Sequence, residues 1–343
     1  MSRTRVVVRC DVGPAHGVGH LMRCLALAEE LVERGYDVVF SADAASVPFA
    51  QRQLEVRDLR VLPPPDTPEE HVAQLETMGA SALVLDSYLL PPEVYAATRA
   101  VVPTLAIVDG DPAGRQADLY LDQNIGAEDD HWALPEGAVR LAGLEYALMR
   151  SDVLRARGAT RPAEQEAPLR VFAFFGGTDV LGAAPVVTRA LAATGRPFHL
   201  RVVAAGERQA AELAAVRTTS GQRVEVIEPT SRLADEVVAA GLVLSASGTS
   251  MWELLCLGAP CALVCLVDNQ VAAYERITAL GVVAGMGTLT ALREDQQVVV
   301  PLLGGLLDDT GERARLAAAG RALVDGRGRE RVADALARRL AQE

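Results

Sequence analysis

Short apolar runs alternate with amphipathic stretches along the whole chain. In the first half the runs are RVVVRC (5–10), DVVF (37–40), SALVLD (81–86), TLAIVD (104–109) and ADLYLD (117–122). In the second half they are LRVFAFF (169–175), HLRVVAA (199–205), RVEVI (223–227), GLVLSAS (241–247) and CALVCL (261–266). They are apolar on successive residues rather than on alternate ones, as strands buried on both faces of a parallel sheet must be. Between the first two runs Leu21, Cys24, Leu25, Leu27, Ala28 and Leu31 recur at helical spacing, and Gly35 supplies a stop. Helical patterns also cover 181–194 and 207–217. Two consecutive sets of β/α alternation predict two doubly wound, Rossmann-like α/β domains. Their expected bounds are 1–153 and 168–326. The polar, proline-containing RARGATRPAEQEAP (154–167) joins them as a linker, and an amphipathic terminal helix follows over 327–343. PPPDTPEE (63–70) reads as a surface loop.

Composition narrows the chemistry. The chain has 343 residues, half of them hydrophobic, enough for two cores. No apolar run approaches the ~18 residues of a membrane span, and the chain enters a strand-like run too early for a signal peptide. The five cysteines, Cys10, Cys24, Cys256, Cys261 and Cys265, have neither an even count nor paired C-x-x-C spacing. They read as buried thiols in a reducing cytoplasm. A formal net charge of −12 disfavours nucleic acid and anionic lipid as partners. All 33 basic residues are arginine, which removes Schiff-base chemistry, a lysine base and a Walker-type phosphate loop. Any phosphate must be held by backbone N–H groups, hydroxyls or arginine.

Ligands of open parallel sheets collect beyond the carboxyl ends of the strands, and five stretches with suitable chemistry follow the runs. In GVGH (17–20), Gly17 and Gly19 permit a tight turn that delivers His20 to a helix start, where the helix dipole favours the neutral, proton-accepting imidazole. The alternative is a histidine that merely fills a crevice; His16 in the same loop is the weaker candidate. In FFGGTDVLGAA (174–184), Gly176, Gly177 and Thr178 form a phosphate-type turn before a helix, or an ordinary capped turn. In SASGTSMWELLCLGAP (245–260), Ser247, Gly248, Thr249 and Ser250 offer hydroxyls and amides to an anion. Glu253 suits the two hydroxyls of a ribose, but Ser250-x-x-Glu253 also has the spacing of a capping box. In VDNQ (267–270), Asn269 and Gln270 suit sugar or base edges, or a polar cap. In DSY (86–88), Asp86 can accept from a sugar hydroxyl and Tyr88 can stack on a ring; a capping aspartate and a core tyrosine are the plain alternative. DGD (109–111) resembles a metal-binding Asp-x-Asp but is simple turn chemistry too, and no metal is assigned.

Taken together, GVGHLMRCLALAEEL, LDSY, LYLDQN, LEYALMR, FFGGTD, SGTSMWELLCLGAP and DNQ resemble the nucleotide-sugar hydrolases of pseudaminic acid biosynthesis and their relatives in spore coat polysaccharide synthesis. The motifs occur in family order from about residue 5 to about residue 287. The resemblance implies the GT-B architecture, two Rossmann-like domains across a cleft. It implies cleavage of a UDP-sugar at the anomeric carbon with inversion, without metal or cofactor. Carried over, the catalytic histidine is His20. The nucleotide contacts fall on the Gly176–Gly177 turn, Ser247 to Ser250, Glu253 and Gln270, and Asp11, Arg23, Asp86 and Tyr88 match the sugar side. The family commonly has Asp-Asp where this chain has Asp109-Gly110. An inverting glycosyltransferase with the same donor site and a sugar, lipid or natural-product acceptor is the alternative. A non-catalytic nucleotide-sugar binder, with His20 structural, is a third class.

Overall fold

The computed structural model describes residues 4–13, 18–159, 168–176, 179–230 and 232–342. The first part of the chain contains β1 (Arg5–Cys10), α1 (Gly19–Glu33), β2 (Asp37–Ser41), α2 (Pro48–Glu55), β3 (Arg60–Leu62), α3 (Pro68–Met78), β4 (Ala82–Asp86), α4 (Pro92–Arg99), β5 (Thr104–Ile107), β6 (Leu119–Asp122), β7 (Val139–Ala142) and α5 (Ser151–Arg157). Its strands form one parallel sheet in the order β3-β2-β1-β4-β5-β6-β7. Alternate residues of each strand serve opposite faces. Val6, Val8 and Cys10 pack with Leu21, Leu25 and Leu31 of α1, whereas Val7 packs with Leu75 of α3 and Val94 and Tyr95 of α4. Both faces are covered, which is why the runs are continuously apolar.

The second part contains β8 (Leu169–Phe174), α6 (Ala183–Ala193), β9 (Phe198–Val203), α7 (Glu207–Ala214), β10 (Gln222–Ile227), α8 (Leu233–Ala239), β11 (Leu242–Ala246), α9 (Ser250–Cys256), β12 (Cys261–Cys265), α10 (Val271–Ala279), β13 (Ala284–Thr288), α11 (Leu289–Glu294), α12 (Val300–Asp308) and α13 (Thr310–Leu323). The sheet order is β10-β9-β8-β11-β12-β13, again parallel. The last helix, α14, spans Gly328–Leu340.

The chain divides into one compact unit of 1–151 with 326–343 and a second of 152–325. The terminal helix is therefore part of the first unit. Its apolar face requires cover, and α1 provides it: Val332, Ala333, Ala335 and Leu336 share the core of Leu21, Leu25 and Leu31. Arg329 reinforces the contact, its Nη2 pairing with Glu33 at 3.1 Å and its Nη1 donating to Ser151 at 2.6 Å. Two expectations are corrected. The first turns of the expected linker belong to α5, which runs to Arg157, while 160–167 lie outside the described residues. The expected loop 63–70 is helical from Pro68, because Thr67 accepts from the Glu70 amide (3.2 Å) and Glu70 accepts from the Thr67 amide (3.3 Å), a complete capping box. Among the described residues no helix is long and apolar enough to cross a membrane.

Candidate active site

In the first sheet the strand order reverses between β1 and β4, and the crevice of a doubly wound sheet opens at such a point. Asp11 follows β1 and Asp86 ends β4; the Asp11 amide donates to the Asp86 carbonyl at 3.1 Å. Helix α1 starts at Gly19 and carries His20 and Arg23 three residues apart on one face. Gly17 and His16 lie outside the described residues.

His20 Nδ1 lies 2.6 Å from Asp86 Oδ1. Arg23 grips the same carboxylate with two bonds, Nε to Oδ2 and Nη2 to Oδ1, both 2.6 Å. Its Nη1 reaches Asp109 Oδ1 at 3.1 Å. The hydroxyl of Tyr88 donates to Asp109 Oδ2, and the Tyr88 ring meets His20 edge-on, with centroids 4.6 Å apart. Asp86 is 0% exposed and His20 8%.

Burial opposes the charge on Asp86, but the Arg23 guanidinium beside it and hydrogen bonds from Arg23 and His20 overcome this and hold its carboxyl at about 2. An ionised carboxylate only accepts, so His20 Nδ1 carries the hydrogen and donates it. The lone pair of the neutral ring is then on Nε2, the atom a general base needs. Burial and the neighbouring Asp109 push the Tyr88 phenol up, so it stays neutral and donates. Asp109 is held below the usual carboxylate range: burial opposes its charge, but Arg23 and the bonds from Arg23, Tyr88 and Asn124 outweigh it.

The Asp86 shift has a consequence for acid stability. The folded value, about 2, lies below the ordinary 3.8. Its stabilisation is therefore complete above the unfolded-state value and lost as pH falls through about 2; at about 1.4 kcal/mol per unit this amounts to about 2 kcal/mol. Between pH 4 and pH 2 the wild-type first unit is expected to lose about that much more stability than Asp86→Asn. Urea unfolding at several pH values measures it, and parallel losses in the two proteins would refute it.

Several residues expected on the sugar side face inward. Asp86 has both oxygens committed and no exposed surface, so it cannot accept from a sugar hydroxyl in this geometry; it orients His20. Arg23 is held between two carboxylates. Asp11 accepts from Ser87 Oγ (2.8 Å) and from the Tyr88 and Leu89 amides (2.8 and 3.3 Å), so it pins the loop that presents Tyr88. Tyr88 itself is 53% exposed. Sequence reasoning gave Asn124 and Asp122 no role and weighed Asp109 as a metal-motif resemblance, as turn chemistry and as a family position. Asp109 instead accepts from Arg23, Tyr88 and Asn124, and Asp111 turns to the Ala113 amide at 2.8 Å. Among the described residues no group of three His, Cys, Asp or Glu could hold a metal ion.

In the second sheet the order reverses between β8 and β11. Gly176 follows β8 with φ +89, a left-handed conformation that suits glycine; Gly177 and Thr178 lie outside the described residues. The helix beyond is not open to an anion at its first turn. Asp179 accepts from the Ala183 and Ala184 amides, both 2.9 Å, and from Gln209 Nε2 at 2.7 Å. The chain's own carboxylate occupies the first amides of α6. After β11, Ser247 is buried and donates to Gln270 Oε1 at 3.2 Å, and the Leu266 amide donates to the same oxygen at 3.0 Å. Gln270 thus braces the turn, with its Nε2 3.5 Å from where a Cβ on Gly248 would stand. Asn269 is exposed. Helix α9 takes Thr249, not Ser250, as its N-cap, without a side-chain cap bond. Glu253 is then the fourth helical residue, one place beyond the capping-box position, and that reading of Ser250-x-x-Glu253 is set aside.

No protein-family model and no curated protein matches the sequence. Solved structures do match, over nearly the whole chain. MurG of Acinetobacter baumannii is 15% identical, with 98% of this chain and 99% of that one covered and a TM-score of 0.71. The spinosyn forosaminyltransferase SpnP is 14% identical, covered 99% and 100%, with a TM-score of 0.68. MnaA of S. aureus with UDP is 13% identical, covered 98% and 97%, with a TM-score of 0.66. The fold is GT-B. Each half is a six- or seven-stranded Rossmann-like sheet with its chemically equipped loops at the point where the strand order reverses.

Proposed function

We propose that this GT-B chain is a metal-independent enzyme that transfers the sugar of a nucleotide sugar, a UDP-sugar, to an acceptor hydroxyl with inversion at the anomeric carbon. The observation that carries the reading is the 2.6 Å contact between His20 Nδ1 and buried Asp86, which leaves Nε2 as the base. As the acceptor oxygen bonds to the anomeric carbon, Nε2 takes its proton; the bond from that carbon to the diphosphate breaks, and the nucleoside diphosphate departs with the electron pair. Asp86 stabilises the imidazolium that forms. On the resemblance, the diphosphate is assigned to the turn before α9, where Gly248, Thr249 and Ser250 offer amides and two hydroxyls. A sugar transferase and a UDP-bound protein among the structures of this fold support a nucleotide-sugar donor.

A hydrolase, with water as acceptor, is the second reading. The GVGHLMRCLALAEEL and Trp-Glu motifs favour it through their resemblance to nucleotide-sugar hydrolases. Incubation with UDP-sugars with and without hydroxyl acceptors separates the two. UDP release that depends on acceptor supports transfer, and release with free sugar in its absence supports hydrolysis. Binding without turnover in either arm would sink both.

Glu253 is assigned to the ribose. Glu253→Gln keeps the size of the side chain and removes its charge, and a thermal melt beside the titration separates lost binding from lost stability. It should bind UDP at least ~10-fold more weakly, since a charge-assisted hydrogen bond is worth about 1.5–3 kcal/mol. Calorimetric titration with UDP and its 2′-deoxy counterpart checks this; unchanged affinity would remove Glu253 from the site.

A further inference from the structure

Three carboxylates stand side by side where β4, β5 and β6 end: Asp86, Asp109 and Asp122. Neighbouring strands are about 4.8 Å apart, so such a row repels itself unless something intervenes. Arg23 lies between the first two, donating to Asp86 at 2.6 Å and to Asp109 at 3.1 Å. Asn124 lies between the second and third, its Nδ2 donating to Asp109 Oδ1 at 2.7 Å and to Asp122 Oδ1 at 2.9 Å. The Gly110 amide donates to the other Asp122 oxygen at 2.7 Å. Asp109 is the middle member, and it also accepts the Tyr88 hydroxyl. Tyr88 in turn packs edge-on against His20 at an interplanar angle of 83°. The contacts close a ring: His20, Asp86, Arg23, Asp109, Tyr88 and back to His20.

We propose that Asp109 is a positioning residue, which fixes the plane of the His20 imidazole by holding Arg23 on one side and the Tyr88 hydroxyl on the other. The inference rests on the reading of His20 as the base. Hydrogen bonding through Asp86 restrains one edge of the imidazole but leaves rotation about that bond. The Tyr88 ring blocks the rotation, and it is half exposed, so little else than its hydroxyl bond to Asp109 restrains it. Among the described residues, Arg23 and the Cys24 thiol, 3.5 Å from Asp86 Oδ2, also face the dyad. An Nε2 that wanders by an ångström loses its line to the acceptor proton, a displacement that costs up to about 100-fold.

The test compares wild type, Asp109→Asn, Tyr88→Phe and the double variant. The first readout is the ring ¹⁵N resonances of His20, identified by their absence in His20→Gln. They require no substrate, so this inference can fail or stand apart from the functional reading. Wild type should show one tautomer, with hydrogen on Nδ1. Asp109→Asn and Tyr88→Phe should show mixed tautomers or exchange-broadened ring signals. The second readout is turnover. Each single variant should lose about 10- to 100-fold in kcat with KM for the donor changed less than about threefold. The double variant should be no worse than the poorer single one, because both cuts open the same ring. Tyr88→Phe removes one hydroxyl from a half-exposed side chain and keeps the comparison meaningful if Asp109→Asn folds poorly. His20 signals in both single variants identical to wild type would overturn the proposal. So would losses that multiply in the double variant, or a raised KM with unchanged kcat, which would make Asp109 a substrate ligand.

Discussion

His20→Ala should lower nucleotide-sugar turnover by about 100- to 10,000-fold, the usual scale for losing a positioned base, with the UDP affinity of the protein within about twofold of wild type. The ring contributes an edge contact with Tyr88 and polar contacts with Asp86 and Arg23, and Asp86 keeps both bonds from Arg23 without it. The fold should therefore survive. Asp86→Ala is the contrasting variant. It strips a buried guanidinium of its principal partner, and breaking a buried pair from one side typically costs about 3–5 kcal/mol. Stopped assays of UDP release, with a thermal melt beside them, distinguish lost chemistry in the first variant from lost structure in the second. Near-normal turnover in His20→Ala would end the base assignment.

Gly328→Ala should destabilise the first unit by about 3 kcal/mol or more, at the upper end of the range for overpacking. A Cβ at Gly328 would stand 2.2 Å from the Ala147 carbonyl oxygen, 2.4 Å from the Tyr146 carbonyl carbon and 2.6 Å from the Ala147 nitrogen. All three are backbone atoms, so no side chain can turn aside and the start of α14 must lift from the first sheet's core. The helical preference for alanine over glycine, about 1 kcal/mol, acts the other way and is outweighed. Gly305→Ala in α12 is the control. Nothing lies within 4 Å of its Cβ position, and stabilisation by up to about 1 kcal/mol is expected. Denaturant unfolding followed by circular dichroism measures both. A Gly328→Ala midpoint equal to wild type would show that α14 has room to shift.

Strands buried on both faces were legible because their sequence is apolar at every position, as at VVV in β1 and ALVL in β4. The three that sequence reasoning missed lack that signal for physical reasons. β3 has three residues, β7 is an edge strand whose Val139 is exposed, and β13 contains Gly285 and Gly287. Capping-box spacing left Glu253 open between two readings at Ser250 and was overlooked at Thr67, because the motif states a spacing and not where the helix begins. The terminal helix was visible as an amphipathic pattern, but which sheet it covers depends on contacts distant in sequence.

In the candidate site, His20 was singled out by its glycine turn before a helix, Asp86 and Tyr88 by their position after a strand, and Arg23 by the family resemblance alone. Their division of labour was not. Whether a carboxylate faces a ligand or a neighbouring arginine depends on distances across four strands. Asp86 and Asp11 look alike in sequence to an aspartate that binds sugar, and only burial and filled valences separate them. Asp109 read as turn chemistry, because its bonds to Arg23, Tyr88 and Asn124 join residues distant in sequence.

The chain leaves the first unit after residue 151 and returns to it at residue 326. During synthesis, amino end first, every strand of the second sheet is thus made before the helix that seals the first one. The second unit is an uninterrupted length of chain and can fold as it emerges; the first must wait, with the α1 face that Val332 and Leu336 will cover still open to water. Nascent first units are accordingly the stage at which a chaperone would find exposed apolar surface, and a ribosome stalled short of α14 would leave the His20 half of the molecule unfinished.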